Sequence, residues 1–159
     1  MITTLSGSND FQIKEYLGDV TNQFLASYDE FGFERLDAEE QDAMNLLEAI
    51  QSIPLFSEKK LVIIKNPSAN KVFCEKLPEQ IHLIPESTDL ILVEKKFDKR
   101  SSFYKFLKKE TDFRELNERD QPRLVSWIIA QVKKGEGSIS QADANYLVQR
   151  VGLNQSQLF

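Results

Sequence analysis

Few side chains in this sequence could carry out a reaction. The inventory for nucleophilic or acid–base work is one cysteine, Cys74, and one histidine, His82, eight positions apart, with no recognisable elbow around either. A lone buried cysteine usually behaves as a small hydrophobe, and a histidine close to Pro85 reads as a loop residue. The single cysteine also excludes an internal disulfide and the four-ligand Cys or Cys/His zinc patterns. For a divalent cation at the end of a central strand the candidate is Glu94. Lys95 and Lys96 follow it directly, and two ammonium groups there oppose a cation. The expectation is therefore no catalytic residue, no metal and no cofactor.

Phosphate chemistry fares no better. The loop G-x-x-x-x-G-K-[ST] needs a Gly-Lys pair, whereas the 6 glycines precede Ser8, Asp19, Phe33, Glu136, Ser138 and Leu153. The turn Ser6-Gly7-Ser8 leads instead to Asp10, whose carboxylate would compete with phosphate for the amides at a helix start. The dinucleotide pattern G-x-G-x-x-G fails because Gly135 and Gly137 precede no third glycine and follow a helix. A phosphoacceptor receiver would need an Asp where Lys65-Asn66-Pro67 stands.

The elements that must position whatever function there is follow a regular alternation. Ile2 to Leu5 reads as a strand, followed by a helix on which Ile13, Tyr16, Leu17, Val20, Phe24 and Tyr28 share a face. Phe33 to Leu36 is a second strand; Asp37 with Glu40 reads as the cap of a helix bearing Ala43, Leu46, Leu47 and Ile50. KLVIIK (60–65) and DLILVE (89–94) are continuous apolar runs, the type found where helices cover both faces of a parallel sheet. Between them Pro67-Ser68 opens a helix through Val72, Phe73 and Leu77 that is expected to stop near Pro78. Asp98 is the expected cap of a helix with Phe103, Phe106 and Leu107, and Thr111 to Leu116 alternates like a fifth strand. A helix from about Asp120 presents Leu124, Trp127, Ile128 and Val132, with Pro122 in its first turn.

Five strands alternating with helices predict a doubly wound, mostly parallel α/β domain over residues 1–137. Gly135 to Ser138 is expected to form a flexible joint, after which Ser140 and Asp143 are spaced as a capping box. Residues 138–159 are expected to begin a helical second domain, with Asn154 capping a further helix that contains Leu158 and Phe159. No run approaches the roughly 18 apolar residues of a membrane span. The start MITTLSGSND has neither the basic nor the apolar part of a secretion signal, so a cytosolic chain is expected.

The net charge of −5 hides an asymmetry: residues 1–58 carry 2 bases against 12 acids, and residues 59–134 carry 17 bases against 11 acids. Lys95, Lys96, Lys99 and Arg100 make a candidate DNA-facing patch, although a lysine run beside a helix is commonly a solvated face. A sharper anomaly is Gln51-Ser52-Ile53-Pro54-Leu55-Phe56-Ser57. Pro54 breaks the preceding helix, so Leu55 and Phe56 fall in a connection, a place normally polar. Two readings stand side by side: an inward plug over the helix end, or a protruding anchor for a partner. As an anchor the pair is worth about 4 to 5 kcal/mol when buried.

The run QSIPLFSEKKLVIIKN, together with DLILVEKKFDKRSSFYKFLKK and RLVSWIIAQVKKGEGSIS, resembles the delta subunit of the bacterial DNA polymerase III clamp loader. The resemblance covers nearly the whole chain, in order. It implies an AAA+-like first domain without a working nucleotide site, in a family whose members are longer than this chain. It also implies a non-catalytic subunit that binds the ring-shaped sliding clamp, helps open it for loading onto primed DNA, and works beside other loader subunits. The family's hydrophobic tip matches Leu55 and Phe56, with Ile53 and Gln51 nearby. Gln51 stands one place too early for the clamp-binding pentapeptide Q-L-[SD]-L-F, so the usual glutamine contact does not transfer to it. The alternatives are a small nucleotide-dependent α/β enzyme with an unorthodox phosphate loop at Ser6 to Asn9, and an interaction module of an unrelated assembly.

Overall fold

The structure is a computed structural model that describes residues 1–153 and Gln155; the expected helix at Asn154 to Phe159 lies outside the described residues. Five strands, β1 (Ile2–Ser6), β2 (Phe33–Asp37), β3 (Lys60–Lys65), β4 (Thr88–Glu94) and β5 (Asp112–Glu115), form one sheet in the order β2-β3-β4-β1-β5. Every neighbouring pair is parallel. Among the described residues six α-helices alternate with or follow them: α1 (Asp10–Ser27), α2 (Ala43–Gln51), α3 (Lys71–Gln80), α4 (Ser102–Glu110), α5 (Gln121–Lys134) and α6 (Gln141–Val151).

The central strands are apolar throughout because both of their faces are covered. In β3 and β4 the side chains divide by the period of two: Val62, Ile64, Leu90 and Leu92 pack with α2, α3 and α4, while Leu61, Ile63, Ile91 and Val93 pack under α1. Phe73 of α3, fully buried in the first layer, is worth about 3 to 5 kcal/mol against alanine. A third cluster joins Leu124, Val125, Trp127 and Ile128 of α5 to Ala144 and Val148 of α6, with Phe11 of α1 edge-on to Trp127.

Several boundaries differ from expectation, each for a local reason. Asp37 is the last residue of β2 rather than a helix cap; its carboxylate accepts from the Asn66 side chain and from the Glu39 amide. Asp42 caps α2 instead, accepting from the Asn45 amide at 2.8 Å. Pro67-Ser68 opens a 3-10 turn, Pro67–Ala69, and Asn70 caps α3. That helix runs past Pro78 to Gln80, so the proline sits inside its last turn. Ser101, not Asp98, caps α4. The Gly135–Ser138 joint is a hydrogen-bonded turn: Gly135, Glu136 and Gly137 donate to Gln131, Lys133 and Val132 carbonyls. A Cβ on Gly137 would stand 2.9 Å from Val132 Cγ1, which keeps that turn tight against α5. The helix expected from about Asp120 starts there, with Asp120 itself as its cap, and the Ser140 cap is found as predicted, Ser140 Oγ accepting from the Asp143 amide at 3.1 Å.

Candidate functional site

In a parallel sheet every helix returns the chain to the N-terminal ends of the strands, while ligands of open α/β sheets sit beyond the C-terminal ends. The segment after α2 is such a return. Ser52 closes α2 by donating its amide to Glu48, and residues 53–59 then run without regular structure to β3. Ile53, Leu55 and Phe56 are 71%, 88% and 75% exposed. Of the two readings left open by the sequence, the inward plug is not adopted: three large apolar side chains stand in solvent on the N-terminal edge. Isolated exposed apolar residues are ordinary, but a cluster of them on a short connection marks a contact surface.

The stem of this tip is held firmly. Lys60, buried at the start of β3, places its ammonium 2.7 Å from Glu34 Oε1 and donates to Ser52 Oγ at 2.8 Å. Ser57 Oγ donates to the Lys59 carbonyl at 2.7 Å. Gln51, half-buried, turns away from the tip: its Nε2 donates to Gln80 Oε1 on α3 at 2.8 Å. One neighbour escaped the sequence reading. Phe31, in the 3-10 turn Glu30–Gly32 between α1 and β2, is 70% exposed and its ring lies 6.1 Å from that of Phe56. The signal was present, since a large apolar residue beside a glycine in a connection is the same anomaly that singles out Leu55 and Phe56.

At the opposite edge, the turn after β1 is filled by the protein itself. Gly7 adopts φ 135°, and an added Cβ would lie 2.1 Å from the Leu116 carbonyl oxygen. The Asn9 amide donates to that carbonyl, the Asp10 amide to Ser8, and the Gln12 amide to the Asn9 side chain. Asn9 Nδ2 in turn reaches Gln155 Oε1 and the Asn117 carbonyl. Asp10 pairs with Lys95 at 2.8 Å. Glycine here serves close backbone approach, and these three amides are already bonded within the chain.

The candidate basic stretch follows β4 at this same edge. Lys95, Lys99 and Arg100 each carry an acid partner: Asp10, Glu115 at 2.9 Å and Asp98 at 3.4 Å. The hydrogen bond from Lys99 holds the Glu115 carboxyl below its usual range and raises the Lys99 ammonium. Lys96 is exposed. Much of the positive charge is thus locally offset by exposed pairs, which themselves contribute little stability.

Cys74 is half-buried and donates to the Pro67 carbonyl; burial, then the charge of Glu94, pushes its pKa up to about 11, so at neutral pH it is a thiol rather than a thiolate nucleophile. His82 is exposed in the 3-10 turn Ile81–Leu83. Glu94 accepts from the Ser68 amide at 3.0 Å. Among the described residues no group of three or more His, Cys, Asp or Glu side chains could hold a metal ion, and no helix is long and apolar enough to cross a membrane.

A five-stranded parallel sheet in this order, with helices on both faces, defines a doubly wound α/β scaffold, and its sequence carries no Gly-Lys phosphate loop. A sequence profile of the DNA polymerase III delta subunit matches residues 4–117, and the chain belongs to that family. The Bacillus subtilis DNA clamp loader delta protein has a similar fold, with a TM-score of 0.78 at 21% identity over 99% of this chain and 50% of that one. A Walker-type ATPase of Pyrococcus abyssi matches at 0.56 and 11% identity, over 96% of this chain and 59% of that one. A DNA polymerase III gamma subunit-related protein of Thermotoga maritima matches at 0.51 and 13% identity, over 92% and 53%. The chain therefore spans about half the length of the solved structures it resembles. No curated protein sequence matches it.

Proposed function

We propose that this chain is the clamp-gripping part of a clamp-loader delta subunit, binding the sliding clamp through Leu55 and Phe56, flanked by Ile53, and helping one interface of the ring to open for loading onto primed DNA. The observation that carries this reading is the exposure of those three side chains on a stem fixed by Lys60, at the sheet edge away from the usual ligand crevice. Family membership supports the sliding clamp as the partner. Binding moves the closed-to-open equilibrium of the ring only by its differential affinity for the two states, so the tip must hold the opened ring more tightly.

On this reading the chemistry belongs to other loader subunits. Helix α6 packs on α5, and on this reading it belongs to a second, helical unit that starts near residue 138. The Lys95 to Arg100 stretch is a weaker proposal for DNA contact, because three of its four named cations are already paired. Gln51, bonded to Gln80, has no assigned role in the clamp contact.

A pull-down with the cognate sliding clamp tests the reading, comparing the intact chain with a Leu55→Ala, Phe56→Ala double variant. Retention of the clamp by the intact chain alone supports it, and equal retention by both contradicts it. A second expectation concerns the nucleotide-dependent alternative. The purified chain should hydrolyse no ATP, and nucleotide should raise neither its melting temperature nor the protection of Ser6 to Asn9. Turnover that is sensitive to substitution in that turn would favour the enzyme instead.

A further inference from the structure

We infer that the apolar tip is built from two segments of chain, with Phe31 as a third anchor that enters the same region of the sliding clamp as Leu55 and Phe56; this rests on the clamp-binding reading above. The two connections, 29–32 and 52–59, are far apart in sequence but touch in space. The rings of Phe31 and Phe56 lie 6.1 Å apart at an interplanar angle of 60°, an offset aromatic pair left in solvent.

Their proximity is enforced at backbone level. A Cβ on Gly32 would stand 2.3 Å from the Lys59 carbonyl oxygen and 2.8 Å from Ser57 Oγ, so glycine is what lets the Phe31 turn lie directly against the tip. Lys60 then ties the segments together from beneath. Its buried ammonium meets Glu34, three residues after Phe31, and Ser52, at the root of the tip. An aromatic pair held in place before binding loses less conformational freedom on docking, and rigid aromatic side chains are typical of the residues that dominate interfaces.

The surroundings of the pair define its occupant. Across the two connections three acids, Asp29, Glu30 and Glu58, are exposed and form no ion pair among the described residues, against one base, the half-buried Lys59. The complementary surface on the clamp is therefore an apolar pocket, wide enough for two rings and a leucine, with a basic rim. Such a rim makes the affinity fall as salt is raised.

The test measures clamp affinity by interferometry for the intact chain, Phe31→Ala, Phe31→Tyr and the Leu55→Ala, Phe56→Ala double variant, with a melting curve for each. Phe31→Ala is expected to weaken binding by about fivefold or more. Phe31→Tyr, which keeps the ring, should stay within about twofold, and neither should shift the melting temperature, since Phe31 is largely exposed. Wild-type affinity for Phe31→Ala alongside lost binding in the double variant overturns the third anchor and leaves the clamp-binding reading standing. Unchanged affinity in all variants overturns both, and salt-independent affinity overturns the basic rim.

Discussion

Replacing Leu55 and Phe56 together by alanine is expected to weaken binding of the cognate sliding clamp at least tenfold while leaving the fold intact. Burying both side chains on a partner is worth about 4 to 5 kcal/mol, and about 1.4 kcal/mol already corresponds to a tenfold change. The tenfold bound is conservative because part of that gain offsets the ordering of the tip on binding. The fold should be indifferent, since both residues stand in solvent and contribute no hydrogen bond to the stem. Calorimetry gives the affinity and a melting curve gives the stability. Weakened binding in a variant that also melts well below the parent would show that the tip supports the scaffold rather than the partner.

Gly7→Ala should have the largest effect on stability of any substitution in the turns. The residue sits at φ 135°, where side chains are strained, and the new methyl would overlap the backbone of Leu116, 2.1 Å from its oxygen. Relief requires moving the exit of β5, which donates from Leu116 to Ser6 and accepts from Asn9, so the β1–β5 pairing suffers with it. A loss of about 3 kcal/mol or more is expected, or roughly 6 to 12 °C in melting temperature for a chain of this size. The substitution also separates two meanings of the same glycine. A phosphate-loop glycine would lose nucleotide binding with modest change in stability, whereas a packing glycine lowers stability with no ligand present.

The sheet could be read from the residues where physical constraint was strongest. KLVIIK and DLILVE are strands buried on both faces, and their short length and β-branched content set them apart from a buried helix. The helix start near Asp120 and the cap at Ser140 were legible because each stands directly before an apolar stripe. Asp37 misled for a definable reason. It is followed by Glu40 at capping-box spacing, yet a tertiary partner, Asn66, takes its carboxylate, and the chain makes a further turn before Asp42 begins α2. Pro78 misled because a proline late in a helix removes only one bond near an end that continues into a 3-10 turn.

The tip itself was legible as an anomaly, since Leu55 and Phe56 lie in a connection after a helix-breaking proline. Its direction was not. Whether such residues fold inward or outward depends on what lies beneath them, and that place is taken by Lys60, Glu34 and Ser52 in a bonded cluster. Phe31 carried its own signal as an apolar residue in a connection, but its pairing with Phe56 did not, because the two are more than twenty positions apart and the packing of Gly32 on Lys59 brings them together. The basic stretch showed the reverse. Lys95, Lys99 and Arg100 read as a patch in sequence, but folding delivers Asp10 and Glu115 to the two lysines, and Arg100 pairs with its near neighbour Asp98.

The most direct measurement is amide hydrogen exchange across the whole chain, with and without the cognate clamp. The account predicts that exchange slows upon clamp addition in residues 52–58, while the turn at Ser6 to Asn9 and the stretch Lys95 to Arg100 are unchanged. Protection confined to those two segments, with residues 52–58 exchanging as freely as before, would contradict it.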